Sequence, residues 1–358
     1  MSHVRTVLFG AMTMMVAAVL TLVASPAESG AGAVLGCGTV ITEDTVLGAD
    51  IGPCGNLVSD PGAHVPGGHG IVIRGDGVTL DLNGHTIFGL GGSVVLHQAT
   101  AVVVDGHSDV TVRNGTVRGF FHGVQVINGS RNVVTGIRSI DNTTGNGIVL
   151  QNAADSSVVG NMVVDSGGFG GISVFSGRAP AQWDDVPTAR NTIANNLVDQ
   201  ADNRTNTAGI SLENGPGHRV LNNVVTNSSG DGINLRADNP IAGGPVLPAV
   251  TNSVVSGNTV AGNGKGAASI AAPVAGIALR LNPTTGVGAN GNQITGNRLA
   301  NNADHGIYVA SRNNLITTNQ VRGSAVHDLH DANTTPPCDN NVWRANAFGT
   351  FNQACVVG

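Results

Sequence analysis

Apolar residues alternate with small or polar residues in many short stretches of this chain of 358 residues. In the clearest stretches a glycine is followed by isoleucine, a variable residue and leucine, so that the second and fourth residues are apolar. These stretches occupy residues 147–150, 209–212, 232–235 and 276–279. In a strand the two apolar residues face the same side, and an apolar period of two predicts strands where a period of 3.6 would predict helices.

The phrase that begins with glycine recurs together with a second phrase, Asn-x-Val/Ile-x-x-Asn. Where nothing is inserted, the first phrase returns after 23 or 24 residues, and the two phrases lie 10 or 11 residues apart. A constant period of this length is typical of a solenoid, whose repeats bury their apolar residues only by stacking on one another. Two or three short strands per repeat, joined by bends at Gly and Asn, predict an all-β fold, a parallel β-helix of about nine coils.

An asparagine holds one register position of the second phrase in successive coils. These residues are Asn161, Asn196, Asn223, Asn258, Asn297 and Asn319. Asparagine tolerates the left-handed conformation that a bend needs, and its amide can hydrogen-bond the same residue of the next coil. We interpret them as an internal ladder and not as ligand-binding residues. We likewise interpret the glycine of the first phrase as a backbone requirement at a bend.

These phrases resemble the repeats of right-handed parallel β-helix proteins of the pectin/pectate-lyase-like superfamily, which includes pectate lyases, polygalacturonases and alginate epimerases. The resemblance covers residues 67–325. The flanking segments 37–54, 77–85 and 328–355 resemble the start and the end of secreted bacterial members of unassigned function. The resemblance implies a capped, right-handed, single-domain β-helix. The sequence lacks the paired aspartates with Arg-Ile-Lys of polygalacturonases and the Asp-Pro-His-Asp of epimerases.

The first 27 residues have the features of a secretion signal. Arg5 supplies the positive end, residues 7–24 form an apolar run, and the small residues Ser25 and Ala27 suit a signal peptidase. A retained anchor is the alternative, because these 18 residues are just long enough to span a membrane. We expect cleavage and a secreted protein, in the extracellular space or cell envelope, with no membrane segment. The predicted domains are the signal peptide at 1–27, an N-terminal cap at 28–66, the β-helix at 67–325 and a C-terminal cap at 326–358.

Four cysteines fit this export and allow three pairings. The ends of a solenoid of about nine coils are on the order of 40 Å apart, whereas bridged cysteines have Cα atoms within about 7 Å. The pairing that fits is Cys37–Cys54 and Cys338–Cys355, each closing a cap. Free thiols in a reduced protein are the alternative.

The net charge of −6 gives no reason to expect a nucleic-acid partner, because a phosphate-binding face needs a basic stripe. We expect a monomer.

Insertions interrupt the repeat at one corner of the coil. The distance from the glycine to the next apolar anchor grows to 22 residues after Gly171, 23 after Gly232 and 18 after Gly276. A further stretch at 262–274 enters from the opposite end of the strand. Long loops on a regular scaffold often carry function, so these insertions predict the walls of a groove. Neutral loop drift is the alternative.

The floor of this groove would be the outward positions of the glycine-started strands. In the last four coils these positions hold Ser211, Glu213, Asn234, Arg236, Ala278, Arg280, Tyr308 and Ala310. Glu213, Arg236 and Arg280 would then form one row. Adjacent like charges in a sheet are unfavourable unless something compensates them, and a uronate carboxylate would suit the fork of an arginine. Chance surface placement is the alternative.

This row favours lyase chemistry over hydrolysis. A glycosidase needs two carboxylates across the bond, whereas Asp231 lies five positions from the register of Glu213, too far along the strand. A lyase needs a base and positive charge that stabilises an enolate. We therefore name Arg236, Arg280 and Glu213 as candidate catalytic residues.

Four residues are candidates for substrate binding, namely Ser211, Asn234, Tyr308 and Trp183, the last of which lies in the first insertion. The tyrosine and the tryptophan would serve as stacking platforms for sugar rings. Trp343, in the C-terminal cap, is expected to be a packing residue.

Metal sites are a weaker expectation. Asp184 and Asp185 could bind calcium, although a solvated loop is the alternative, and no other cofactor is expected. The segment 327–331 gathers four possible ligands, His327, Asp328, His330 and Asp331. We assign them to hydrogen bonding within the cap, because a short tail lacks the fixed framework of a zinc site.

Two functions of different class follow. The first is binding, with cleavage by a lyase-type reaction as an extension, of an acidic extracellular polysaccharide along the groove. The second is a non-catalytic surface or matrix scaffold, which the missing catalytic signature and the scarce aromatic residues favour. Fold analogy does not decide between them, since function on a common fold depends on its sites.

Overall fold

The computed structural model describes residues 32–55, 68–91, 99–142, 145–166, 170–176, 188–200, 208–237, 247–264, 273–282, 284–334 and 336–357. The predicted signal peptide lies outside the described residues and stays a prediction, as do the domain boundaries. Among the helices of the described part, none has the length and hydropathy needed to cross a membrane.

The described part of the chain contains thirty strands, numbered β1–β30 in chain order, and their pairings are all parallel. The first sheet has eleven strands, and the glycine-started phrases lie in it. These strands are β1 (Thr39–Ile41), β4 (Ile71–Ile73), β7 (Thr100–Asp105), β9 (His122–Ile127), β11 (Asn146–Gln151), β14 (Gly170–Phe175), β17 (Ala208–Leu212), β20 (Ile233–Leu235), β23 (Ala275–Leu279), β26 (His305–Val309) and β29 (His327–Asp331).

Two further ladders of strands complete the coil, and the long strands β8 and β10 belong to both. The second ladder contains β2 (Thr45–Val46), β5 (Thr79–Asp81), β8 (Thr111–Arg118), β10 (Val133–Ile140), β12 (Ser157–Val159), β15 (Thr192–Ala194), β18 (Arg219–Leu221), β21 (Val254–Ser256), β24 (Gln293–Thr295), β27 (Leu315–Thr317) and β30 (Val342–Arg344). The third adds β3 (Ile51–Cys54), β6 (Thr86–Gly89), β13 (Met162–Val164), β16 (Leu197–Asp199), β19 (Val224–Thr226), β22 (Thr259–Ala261), β25 (Arg298–Ala300) and β28 (Gln320–Arg322).

The core is a column of apolar side chains on the axis of the coil. In the coil formed by β17, β18 and β19, the side chains of Ile210, Leu212, Val220 and Val225 are fully buried. The register places Ile210 directly opposite Ile233 in the next coil, so like residues stack along the column. The period-two prediction, the all-β class and the parallel β-helix are therefore confirmed.

The ends of the molecule continue the stacking. Nine strands of the first sheet lie within the expected β-helix of residues 67–325, whereas β1 and β29 lie in the segments assigned to the caps. The C-terminal segment covers β29. The Leu329 amide donates to the Thr350 carbonyl at 3.1 Å, and Leu329 and Phe351 form an isolated parallel β-bridge. Trp343 is buried, and its indole N–H donates to Asp331 at 3.0 Å.

Both predicted disulfides are present. The Cα atoms of Cys37 and Cys54 are 5.5 Å apart, and those of Cys338 and Cys355 are 6.2 Å apart. The second bridge joins two 3-10 turns, at Cys338–Asn340 and Ala354–Val356. It ties the two ends of the segment that covers the last coil.

The asparagine ladder is also confirmed. Each ladder asparagine donates its backbone N–H and its Nδ2 to Oδ1 of the next one, as Asn223 does to Asn258 at 2.8 and 3.0 Å. The chain of bonds runs through Asn161, Asn196, Asn223, Asn258, Asn297, Asn319 and Asn346. The left-handed conformation falls one residue earlier, at Asn195 and Asn222 for example, so the ladder residue itself supplies the amide and not the bend.

The glycines of the first phrase have a different role from the one expected. Gly209, Gly232 and Gly276 lack a positive φ. A Cβ on Gly232 would lie only 2.4 Å from Cγ1 of Val260 and 2.6 Å from the carbonyl oxygen of Gly276. The interpretation as a bend requirement is wrong, because it is the space inside the coil that requires glycine.

Buried histidines should make the fold sensitive to acid. Burial lowers the pKa of His122 to about 3, with a contribution from His69, and burial lowers that of His218 to about 4 against a hydrogen bond to the Asn214 backbone. In the unfolded chain a histidine has a pKa near 6.5. The neutral folded form is thus fully stabilising above about pH 6.5, and each histidine should lower the free energy of unfolding by about 1.4 kcal/mol per pH unit as the pH falls toward 4.

Chemical unfolding of the wild type and His122→Gln between pH 7 and 4.5 tests this dependence. In the wild type, Nδ1 of His122 accepts a hydrogen bond from the backbone N–H of Asn146 at 2.9 Å. Glutamine keeps an acceptor at this position. The stability of the variant should fall less steeply below pH 6.5, by about 1 kcal/mol per pH unit. His107→Gln, at a partly exposed histidine paired with Asp76, is the matched control and should follow the wild type. Parallel curves for His122→Gln and the wild type would contradict the assignment.

Candidate functional site

The outward positions that the sequence predicts as the floor of the groove lie on the outer face of the first sheet, at its C-terminal end. Ser211, Asn234, Ala278 and Tyr308 are directly opposite one another on β17, β20, β23 and β26. The same register continues to His330 on β29. The predicted alignment of these positions in consecutive coils is therefore confirmed.

The floor of the row is more enclosed than the sequence suggests. Ser211 is 2% exposed and Asn234 is 7% exposed. Oδ1 of Asn234 is buried and has no hydrogen-bond partner within the described part of the chain. The guanidinium-bearing side chain of Arg236, by contrast, is 41% exposed. Access to this face is therefore at Arg236, Arg280 and Tyr308, and less at Ser211 and Asn234.

Glu213 and Arg236 form an ion pair between neighbouring coils. Nη2 of Arg236 is 2.8 Å from Oε1 of Glu213, and the Ser211 hydroxyl donates to the same oxygen at 3.1 Å. Glu213 is largely buried, so the pair is held against the sheet.

Arg280 has its own carboxylate partner, Asp231. Its Nε donates to Oδ2 at 2.9 Å and its Nη2 to Oδ1 at 2.7 Å, a bidentate pair with a buried aspartate. Nη2 also donates to the Pro273 carbonyl at 2.8 Å. Each of the two neighbouring arginines is therefore compensated by a carboxylate of the protein itself, Arg236 by Glu213 and Arg280 by Asp231. Asp231, set aside because it lies far along the strand, is reached because the arginine side chain extends back along that strand.

Tyr308 is surrounded by cationic and aromatic groups. Cζ of Arg280 is 5.7 Å from the centre of its ring, and the ring stacks on His305 at 5.5 Å and on His330 at 5.3 Å. Burial raises the pKa of Tyr308, and Arg280 opposes this shift. The predicted stacking platform is thus part of an aromatic cluster that the protein itself forms.

Three histidines, His305, His327 and His330, lie beside Tyr308. Their ring nitrogens are within 4.8 Å of one another. The pKa of His305 is lowered to about 4, chiefly by burial and then by His330, while Asp304 opposes the shift; burial likewise lowers the pKa of His330. The imidazoles of His305 and His330 are therefore neutral at neutral pH.

The group assigned to hydrogen bonding within the cap does form such bonds. Asp328 accepts from the Gly349 amide at 2.8 Å, and Asp331 accepts from the indole of Trp343. Nδ1 of His327 and Nδ1 of His330 are 3.4 Å apart, within hydrogen-bond distance. The histidines lie on β29, a strand of the sheet and not a short tail, and β29 places them next to His305. Their spacing carried the signal, because His305 and His327 are 22 residues apart, close to one uninterrupted repeat.

Residues 69–242 match the family model described as the right handed beta helix region. The chain is a right-handed parallel β-helix protein. No curated protein matches it significantly in sequence.

Solved structures share this fold at low sequence identity. A double mutant of the periplasmic alginate epimerase AlgG is 12% identical, with a TM-score of 0.57 over 88% of this chain and 70% of that one. An exopolygalacturonase from Thermotoga maritima is 10% identical, with a TM-score of 0.49 over 80% of this chain and 79% of that one. The likeness to the epimerase, at 12% identity, shows the fold alone and does not show a reaction for the β-helix protein.

The β-helix protein carries a second surface that the sequence did not suggest. A shallow groove lies along the third ladder near the C-terminal end. Its lining includes Thr259, Arg298, Gln320, Arg322 and Phe348. Both arginines are exposed, and neither forms an ion pair with any of the described residues.

The remaining candidates lie outside the described residues. Trp183, Asp184 and Asp185 belong to the segment 177–187, and much of each insertion is likewise outside the description. The stacking role of Trp183, the calcium site and the groove walls stay predictions. The described outer face thus holds two arginines paired with carboxylates, the ring of Tyr308 and three histidines beside it.

Proposed function

We propose that this β-helix protein is secreted and binds an acidic polysaccharide on the outer face of its first sheet, at Arg236, Arg280 and Tyr308. The observation that carries the proposal is the position of the Arg280 guanidinium over the ring of Tyr308, where Arg280 directly follows β23 and Tyr308 lies on the neighbouring strand β26. An aromatic ring can stack on a sugar, and a guanidinium beside it can bind the carboxylate of that sugar.

The rigidity of Arg280 supports this proposal. Asp231 holds one edge of the guanidinium, and no hydrogen bond from the described residues engages Nη1. An arginine oriented by a buried partner loses less conformational entropy when it binds a ligand. The fold adds support by analogy only, since the epimerase with which it is shared acts on alginate.

The internal ion pairs favour binding over cleavage. A lyase-type reaction would need Glu213 to accept the proton next to the uronate carboxylate, with Arg280 stabilising the enolate. Both groups of this scheme are already engaged, because Glu213 accepts from Arg236 and Ser211, and Arg280 donates to Asp231. The same pairs also suit the second candidate, a non-catalytic scaffold, in which they would only stabilise neighbouring coils.

Binding of polygalacturonate and alginate, with and without calcium, tests the proposal, with dextran as the neutral control polymer. The wild type should bind an acidic polymer, and Arg280→Ala and Tyr308→Ala should each weaken binding about tenfold, as expected for the loss of a charged hydrogen bond or a stacked ring. The absorbance of unsaturated products, followed in parallel, reports lyase-type cleavage.

Arg298→Ala is the matched control, because it removes an exposed arginine from the third ladder. It should leave binding unchanged. No binding to either acidic polymer would refute the proposal and favour the scaffold. Binding lost in Arg298→Ala and kept in Arg280→Ala would instead place the ligand in the groove of the third ladder.

A further inference from the structure

Three histidines from the last two strands of the first sheet share one small region of its outer face. His305 on β26 is directly opposite His327 on β29, and His330 on β29 is directly opposite Tyr308. The ring centres are 4.2 Å apart for His305 and His330, 5.4 Å for His327 and His330, and 5.7 Å for His305 and His327. Since both strands belong to one sheet, the scaffold that holds these rings is rigid.

The distances between ring nitrogens are those of a metal-binding group. Nδ1 of His327 and Nδ1 of His330 are 3.4 Å apart. Two nitrogens bound at about 2.0–2.1 Å to one tetrahedral zinc ion are about 3.4 Å apart. One nitrogen from each of the three rings falls within 4.8 Å of the other two, so small side-chain rotations would complete the set.

His305 supplies an independent observation. It is 4% exposed, and its Nδ1 is buried without a hydrogen-bond partner. A buried polar atom with no partner is uncommon in folded proteins and calls for an explanation such as an ion. The lone pair of a neutral imidazole nitrogen in this position is suited to a metal ion.

We propose that His305, His327 and His330 bind a divalent transition-metal ion of the zinc class. Three imidazoles suit zinc and its neighbours, whereas calcium and magnesium prefer oxygen ligands. Three protein ligands leave a fourth position open to water or another small ligand, as in zinc sites that do chemistry. The site is distinct from the calcium site expected at Asp184 and Asp185, and it does not depend on polysaccharide binding.

The surroundings of the three rings fit this assignment. Tyr308 stacks on two of them, and the carboxylates of Asp304 and Asp331 act electrostatically on His305 and His330 respectively. Asp331 is fixed by the indole of Trp343 and the amide of Asn341. Nearby carboxylates and packed rings orient metal-binding histidines and raise their affinity.

Calorimetric titration of the purified protein with ZnCl2 tests the site, using a preparation without a polyhistidine tag. The wild type should bind one zinc ion per chain, and zinc should raise its melting temperature. His327→Ala and His330→Ala should each weaken zinc binding about tenfold or more. His107→Ala, at a partly exposed histidine distant in sequence and paired with Asp76, is the matched control and should bind zinc like the wild type.

Circular dichroism and melting without metal will show whether each variant is folded. Cobalt substitution gives a second readout, because Co²⁺ bound tetrahedrally by nitrogen absorbs visible light, and this absorption should be absent in the double variant His327→Ala/His330→Ala. Saturable zinc binding that persists in this folded double variant would overturn the proposal. So would the absence of saturable binding by the wild type, which would leave the contact between His327 and His330 as a hydrogen bond only.

Discussion

Asn258→Ala should lower the free energy of unfolding by about 2–6 kcal/mol, because it leaves two buried donors without acceptors at about 1–3 kcal/mol each. Oδ1 of Asn258 accepts from the backbone N–H of Asn223 at 2.8 Å and from its Nδ2 at 3.0 Å. Nδ2 of Asn258 in turn donates to the Val220 carbonyl and to Asn297, both at 2.9 Å. One truncation therefore breaks bonds with both neighbouring coils.

A graded series distinguishes the ladder from a general loss of packing. Asn258→Ser should be less destabilising than Asn258→Ala, because a serine hydroxyl can still accept a hydrogen bond from the backbone N–H of the preceding coil. Ser253 does so at another bend of the coil, where its hydroxyl accepts from the His218 amide at 2.9 Å. Gln293→Ala removes an exposed amide from β24 and should change stability by less than about 0.5 kcal/mol. Urea unfolding monitored by circular dichroism measures all three variants. Equal stabilities for Asn258→Ala and Gln293→Ala would contradict the energetic role of the ladder.

Gly232→Ala should destabilise the fold by about 3 kcal/mol or more, although alanine is the smallest substitution available. The new Cβ would be 2.4 Å from Cγ1 of Val260, 2.6 Å from the Gly276 carbonyl oxygen and 2.8 Å from Nδ2 of Asn263. The first contact is with a core side chain, and the second is with the backbone of the next coil. Neither can be relieved by moving an exposed side chain.

A second substitution tests the cause of this effect. Val260→Ala removes the nearest clashing group, so Gly232→Ala/Val260→Ala should cost less than the sum of the two single variants. The contact with the Gly276 carbonyl remains, so the rescue should be partial. The matched control is Gly286→Ala, at an exposed loop position where a Cβ would meet nothing within 4 Å but the φ of 69° is left-handed. Gly286→Ala should lower the free energy of unfolding by about 1 kcal/mol through backbone strain alone. Additive effects of the two substitutions in Gly232→Ala/Val260→Ala would contradict the packing explanation.

The coil could be predicted because its physical cause is local in sequence. Alternation places Ile210 and Leu212 on one face, and the period of the repeat then stacks like residues without any knowledge of the loops. The disulfide pairing followed from the separation of the two ends. The asparagine ladder followed from a single residue type that recurs at one register.

The candidate site was less predictable, because it depends on how far long side chains extend and on which residues of successive coils lie opposite one another. Arg280 pairs with Asp231, and no count of positions along a strand shows how far an extended side chain bends back. The burial of Asn234 depends on what packs over an outward face, and alternation does not report that. The cluster of three histidines does not follow from assigning residues 326–358 to a cap, because the repeat continues there and places His327 in the coil after His305.

The covered last strand removes an edge of the first sheet to which another strand could pair. A parallel coil ends in a row of unsatisfied backbone groups with the geometry of the next coil, and such an edge is a template for fibre growth. Here residues 350–352 satisfy some of those backbone groups. The Thr350 carbonyl accepts from the Leu329 amide, and Oδ1 of Asn352 accepts from the Asp331 amide. The bridge between Cys338 and Cys355 fastens this segment in place. We therefore expect reduction of this disulfide to loosen the segment that covers β29 and to expose a strand edge to which a second chain could add.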